Sequence, residues 1–252
     1  MMGMIIFLVI LILAWQGVYW LGVDLLELWK PYAVPEPAGV AKRFVELCSD
    51  GTLFQATFNS LMRGIAGYVV AVIIGILVGL LINHFNYLQK NFKPVVLGIQ
   101  TLPSVCWVPF SILWFGLSTN AILFVVIMGS AFSIAISVDN AIKNIQPIYT
   151  KAALTMGATK KQMYINVIFP ACLPELISGL KQGWSFAWRA LMAGEVMTTS
   201  IGLGQTLIMG RDLADINQVM LVMVVIVAVG IIIDKCIFSV IEKRILKKRG
   251  LA

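Results

Sequence analysis

The stretch PIYTKAALTMGATKKQMYINVIFPACLP, Pro147 to Pro174, is the long polar interruption of an otherwise apolar chain. Its residues predict two short helices around a break. Pro147 suits the first turn of a helix, where the missing N–H has no partner to lose. Lys151 to Leu154 are good helix formers. Gly157 ends or bends the first helix, because glycine takes a left-handed cap without a steric penalty. Thr159 followed by Gln162 has the spacing of a capping box for the second helix. That helix carries Met163, Tyr164 and Val167 on one side, with Lys160 and Lys161 near its start. Pro170 and Pro174 stop or kink it as the chain re-enters apolar sequence.

What surrounds this stretch sets the class. Of the 252 residues, 60% are hydrophobic and 12% charged, and the mean hydropathy is +0.91. A soluble domain averages about a quarter charged residues, so an all-α polytopic membrane protein is expected. The net charge of +7 does not indicate nucleic acid. The Lys and Arg residues sit between or after apolar runs, where membrane topology puts them, and no basic patch is interleaved with aromatics. Cys48, Cys106, Cys172 and Cys236 are dispersed, without metal-ligand spacing or a disulfide framework. The single histidine, His84, closes an apolar run and reads as interfacial. No catalytic set and no metal site are expected. The uncharged run Met1 to Val23 is too long for a usual signal-peptide core and reads as a retained span.

A transmembrane helix needs about 20 apolar residues. Met4 to Val23 supplies the first span, ended by Asp24, Glu27 and Lys30 and by a rigid exit through Pro31, Pro35 and Pro37. Ala38 to Cys48 predicts a short amphipathic helix on the outer surface, with Val40, Phe44, Val45 and Cys48 toward the bilayer and Lys42, Arg43 and Glu46 away from it. Gly64 to Gln89 holds no Asp, Glu, Lys or Arg and gives the second span. Its Gly67, Gly75 and Gly79 permit close helix packing, and Lys90 and Lys93 mark a cytoplasmic turn after it. The uncharged run Pro94 to Val138 holds two spans separated by a turn at Gly116 to Asn120. Thr101 to Pro109 is either a broken helix lining a pathway or a packed kink, since proline at membrane depth needs neighbouring protein to satisfy the freed carbonyls. The fourth span ends near Asp139. The fifth runs from Pro174 to about Met197, the sixth from Ile216 to Ile233, and Thr198 to Asp215 is the loop between them.

Six spans with both termini cytoplasmic place Lys90 with Lys93, Lys143 to Lys161, and the tail from Lys243 to Arg249 inside, in accord with the positive-inside rule. The organisation expected is a first helix and exit over 1–34, an extracytoplasmic amphipathic segment over 35–51, and a core over 52–252 that contains the 147–174 loop.

The Pro147–Pro174 stretch resembles the cytoplasmic loop of permease subunits of ATP-binding-cassette importers. The family pattern is Glu-Ala-Ala, three residues, Gly, nine residues, then Ile, any residue, Leu, Pro. Ala152, Ala153, Gly157 and Pro170 match in register, Lys151 replaces the Glu, Val167 the Ile and Phe169 the Leu. PEPAGVAKRFVELCSDG from Pro35, PSVCWVPFSILWFG from Pro103, GEVMTTSIGLGQTL from Gly194 and the closing Ile233-Asp234-Lys235 resemble the nitrate/sulfonate/taurine branch. The resemblance implies a type I importer permease fold, with the loop as a coupling helix that docks on an ATPase through Lys151, Ala152, Ala153, Gly157, Ala158, Thr159 and Pro170. It also implies two ATP-binding subunits carrying ATP and Mg, a second permease subunit (a second copy by default) and an extracytoplasmic substrate-binding protein, at the cell membrane. This chain has no phosphate loop of the G-x-x-x-x-G-K-[ST] kind, so hydrolysis is borrowed and the chain is not itself an enzyme.

Substrate contact is expected from charges at membrane depth, which usually face a bundle interior or cavity. Arg189 and Glu195 lie six positions apart, which does not suit an intrahelical pair, so each requires a partner elsewhere. Arg189 either attracts an anionic substrate through its planar fork or makes a structural salt bridge. Trp107 and Trp188 line a pathway or serve as interface anchors or core, and Pro109 lines a pathway or belongs to a packed kink. The function expected is import of a small anion of the sulfonate, taurine or nitrate kind. The alternatives are the same machine for another solute, such as a vitamin precursor, or an ion-gradient-driven carrier. The carrier predicts internal repeats with paired broken helices, which the sequence does not show.

Overall fold

The computed structural model describes residues 2–30 and 32–248, without the side chains of residues 2, 4, 5, 8, 246 and 248. Pro31 of the rigid exit and Arg249 of the basic tail lie outside the described residues. Along the chain run α1 (Met2–Tyr19), α2 (Pro37–Ser49), α3 (Thr52–His84), α4 (Asn86–Gln100), α5 (Trp107–Phe115), α6 (Thr119–Lys143), α7 (Pro147–Thr155), α8 (Lys160–Met163), α9 (Phe169–Val196), α10 (Leu203–Asp212), α11 (Ile216–Ile233) and α12 (Ser239–Lys248), with no strand among the described residues. Three π-helical segments fuse neighbours into longer rods: Trp20–Leu25 extends α1, Tyr164–Ile168 joins α8 to α9, and Asp234–Phe238 joins α11 to α12.

Four rods are long and apolar enough to cross a bilayer: Thr52–His84, Thr119–Lys143, Lys160–Val196 and Ile216–Ile245. A fifth apolar unit is broken, with α4 and Ser104–Phe115 meeting at 94°. With α1, each apolar segment of the sequence has a helical counterpart. The boundaries differ from the expected ones. The second span starts at Thr52 rather than Gly64 and so takes in Arg63. At 1.5 Å per residue it is about 50 Å long, beyond the ~30 Å hydrocarbon core. Lys90 and Lys93 lie on α4 rather than in a turn. The second helix of the loop is not short: Lys160–Val196 is one rod that carries Pro170 and Pro174 within it. The π-helical turn just before Pro170 loosens the i→i−4 ladder, where a missing N–H is tolerated. The stretch from Thr198 to Asp215, expected as loop, contains α10.

The chain divides into two compact units, Met1–Ser60 with Thr199–Val229, and Leu61–Thr198 with Gly230–Ala252. In the first, α2 forms as expected, with Pro37 at its start and Leu47 buried. Arg43 is not simply turned to water. Its Nη1 lies 2.7 Å from Glu46 and its Nε 2.8 Å from Asp215, and Nη2 donates to Gln218 Oε1 at 3.1 Å. Hydrogen bonding to Glu46, with the nearby Asp215 charge, pushes the Arg43 guanidinium above its ordinary range against the effect of partial burial. Gln218 in turn donates to the Thr206 carbonyl at 2.9 Å, and the Leu203 N–H donates to Ser60 Oγ at 2.8 Å. Polar contacts thereby tie α10 to α3 and α11, beside the buried Leu203, Leu221 and Val222.

In the second unit α6 is central. Ala131, Ile134 and Val138 on α6 form a buried cluster with Ala71 of α3. Glycine makes the approach possible: a Cβ at Gly79 would lie 2.6 Å from the Ala135 carbonyl oxygen, and one at Gly75 2.7 Å from Ile134 Cβ. Tyr68 closes the layer by donating its hydroxyl proton to the Leu180 carbonyl of α9 at 2.7 Å.

Candidate functional site

The break in the third span is where chain chemistry and open volume meet. α4 ends at Gln100, Pro103 is extended (φ −56°, ψ 135°), and a short 3-10 turn, Ser104–Cys106, leads into α5. Proline at 103 has no N–H to continue the α4 ladder, so the rod turns here. The turn encloses a cavity of about 260 Å³ lined by Gln100, Thr101 and Ser104 of the break and by Phe186 and Arg189 of α9. Arg189 is exposed at its wall. Its Nε donates to the Ser185 carbonyl at 3.2 Å, and its guanidinium stacks over the Phe186 ring, 4.6 Å from the centroid. Among the described residues it has no ion pair with a carboxylate, so its two terminal amino groups remain available. The Gln100 side-chain oxygen is buried without a hydrogen-bond partner in the same wall. A cation held by ring and backbone, with donors left over beside a polar cavity, can hold a small oxyanion.

A larger cavity of about 720 Å³ lies among Leu80, His84, Ile142, Tyr164 and Phe169. Its walls are apolar and carry no Lys or Arg, so it does not suit an anion.

The other expected pathway residues lie elsewhere. Glu195 is fully buried and accepts from Arg63 Nη1 of α3 at 3.0 Å. Trp188 is buried, stacked on Trp184 with ring centroids 6.0 Å apart. Trp107 is half-buried against Phe110 and Phe124, and Pro109 is exposed on α5. None of the four lines the Arg189 cavity. Arg63 escapes the sequence reading because a charge beside an apolar run reads as the end of that run.

The Pro147–Pro174 stretch has its predicted local chemistry. Pro147 occupies the first turn of α7, and Gly157 has φ +76°, a backbone that side chains rarely adopt. Thr159 caps the next helix: its Oγ1 accepts from the Gln162 N–H at 3.3 Å, and its own N–H donates to Gln162 Oε1 at 2.9 Å. Of the seven loop positions singled out, Ala153 is buried, Ala158 and Pro170 are half-buried, and Lys151, Ala152, Gly157 and Thr159 are exposed. Apolar side chains also stand free here: Ile148 is 66% exposed, Leu154 58% and Met156 80%. Lys151, at the position of the family Glu, has no ion pair among the described residues.

Comparison with known proteins agrees with this architecture. The taurine transport system permease protein TauC of Escherichia coli (strain K12) is 27% identical over 73% of this chain and 69% of its own length. The nitrate import permease protein NrtB of Leptolyngbya laminosa is 27% identical over 74% of this chain and 67% of its own. A chain of the MetNI methionine ABC transporter in an inward facing conformation has the same fold, with a TM-score of 0.64 at 22% identity over 77% of this chain and 96% of that one. The profile of the binding-protein-dependent transport system inner membrane component matches residues 71–247, and the chain belongs to that family of ABC importer permeases, in the branch that includes the taurine and nitrate permeases.

Proposed function

We propose that this permease forms the pathway for a small anion of the sulfonate, taurine or nitrate kind and is driven by a separate ATPase through the 147–174 loop. Arg189 carries the reading: its guanidinium, without a carboxylate partner among the described residues, faces the polar cavity at the helix break. Taurine and nitrate in the names of TauC and NrtB point to the same cargo class. Lys151, Ala152, Ala153, Gly157, Ala158, Thr159 and Pro170 form the coupling surface, and the exposed Leu154 and Met156 beside them are apolar knobs that a groove on another subunit would cover. Two ATPase subunits with ATP and Mg, a second copy of this chain and an extracytoplasmic binding protein complete the machine. Residues 52–252 act as the permease core, with 1–34 as an added first span and both termini in the cytoplasm.

The test is uptake of labelled taurine and nitrate by proteoliposomes holding this chain, its co-purified ATPase and its binding protein. Arg189→Ala is expected to lower uptake at subsaturating substrate at least tenfold, the scale of one charge-assisted contact of about 1.5–3 kcal/mol. Arg189→Lys is expected to recover part of the loss. If both variants transport with unchanged apparent affinity, the anion site is refuted.

A further inference from the structure

Asp139 sits on α6 one turn before that helix ends at Lys143, just ahead of the 147–174 loop. Its side chain is fully buried. Asn83 of α3 donates to Oδ1 at 3.2 Å, Lys93 of α4 donates to Oδ2 at 2.6 Å, and Lys143 donates to the same Oδ2 at 2.8 Å. Lys93 also reaches Asn140 Oδ1 at 3.4 Å. Finishing α6 would require only Lys143, a favourable cation in the last turn. What Asp139 adds is a grip on two other helices. Two ammonium groups share one carboxylate oxygen, so without the carboxylate their mutual repulsion would drive α4 from α6. The other end of α4, two turns beyond Lys93, is Gln100 at the break and the Arg189 cavity.

We propose that Asp139 is a positioning residue for transport: it clamps α4 to the loop-side end of α6, so that a displacement of the loop is delivered along α4 to the break at 101–103. The proposal rests on the coupling role given above to the 147–174 loop. Three helices meeting on one buried carboxylate form a contact that is either made or broken, the discrete kind of element through which a displacement passes as a unit. Lys93 is the lever's handle and Lys143 the loop's.

Cys106, exposed at the far side of the break, reports on the movement. The experiment uses the full chain with its ATPase in lipid nanodiscs, with Cys48, Cys172 and Cys236 changed to Ser. It reads the rate at which a maleimide labels Cys106 with no nucleotide and after trapping with ATP, Mg and vanadate. The expected result is a nucleotide-dependent rate in the otherwise native chain and loss of that dependence in Asp139→Asn, with vanadate trapping retained. Lys93→Met leaves Asp139 its Lys143 partner and, where it still traps vanadate as the parent does, is expected to lose the dependence too, while Lys93→Arg and Asp139→Glu restore it. An equal nucleotide response in Lys93→Met and its parent overturns the proposal and leaves the coupling loop standing. So does a parent chain that traps vanadate with no change at Cys106. A parent chain that retains no ATPase overturns the coupling reading and this inference with it.

Discussion

Replacing Arg63 by Met removes the cation paired with a carboxylate that has no exposure. The Arg63 side chain is 14% exposed, Glu195 is 0% exposed, and they lie 3.0 Å apart. At an effective dielectric of about 20, two unit charges at that distance attract by about 5.5 kcal/mol. Losing one member of such a pair typically costs about 3–5 kcal/mol, because the remaining charge stays buried. Arg63→Met is therefore expected to destabilise the chain by about 3–5 kcal/mol. Replacing both charges by apolar groups of similar size is often close to neutral, so Arg63→Met with Glu195→Leu should recover most of the loss. Equilibrium unfolding of the purified chain in mixed micelles, taken through the four corners of a double-mutant cycle, measures the coupling. A loss below about 1 kcal/mol in the single variant, the range of an exposed pair, would refute the reasoning. So would a double variant as unstable as the sum of the two singles. Transport per folded molecule makes an independent check. The pair does not line the Arg189 cavity, so the double variant should keep the parent's apparent substrate affinity, and a large shift in that affinity would return Glu195 to the pathway.

Gly79→Ala should cost about 1–3 kcal/mol, the usual range of overpacking, because the new Cβ would press on the Ala135 backbone oxygen, which cannot rotate away; the same unfolding assay reads it. Thr159→Ala should cost about 1 kcal/mol by removing a helix cap, seen as faster amide exchange at Gln162, whose N–H the Thr159 hydroxyl accepts. The Asp50 carboxylate accepts the Thr52 N–H at 2.9 Å, and that backbone hydrogen bond holds its pKa below the usual carboxylate range. Its support for the start of α3 is thus present above the unfolded-state pKa and lost as pH falls through the lower folded value, so opening at the Thr52 amide, corrected for intrinsic exchange, should rise only in acid.

Local signals make some of this legible in sequence. Pro147, Gly157 and the Thr159–Gln162 pair each act within a turn or so of backbone, and each adopts the geometry its chemistry requires. The break at Thr101 to Pro109 is legible for the same reason, since Pro103 denies α4 its next hydrogen bond. The span ends are not, because hydropathy treats every charge as a cost. Arg63 is cancelled by a residue 132 positions away. Lys93 is cancelled by one 46 positions away. Both pairings let a helix continue where its sequence seems to stop. The continuity of Lys160–Val196 through two prolines is hidden likewise, because the π-helical turn that accommodates Pro170 leaves no compositional mark.

Pairing also sorts the charges of the fifth span. Lys181 lies 3.2 Å from Asp234 and 4.0 Å from Glu242, and Glu195 is met by Arg63. Each of these charges is compensated within the chain, and none needs a substrate to explain it. Arg189 differs. Its compensation is a carbonyl oxygen and the face of a ring, a cation–π contact worth roughly 0.5–2 kcal/mol. An insertion penalty of about 2.5–3.5 kcal/mol for a cation at bilayer depth is only partly offset by such a contact. A cation left short of compensation beside a polar cavity is stabilised further by an anion that can come and go. A carboxylate from the chain in its place would have occupied the guanidinium permanently. The lack of a carboxylate partner among the described residues is what the proposed anion site rests on, and it separates Arg189 from Glu195 although both are charges on one span.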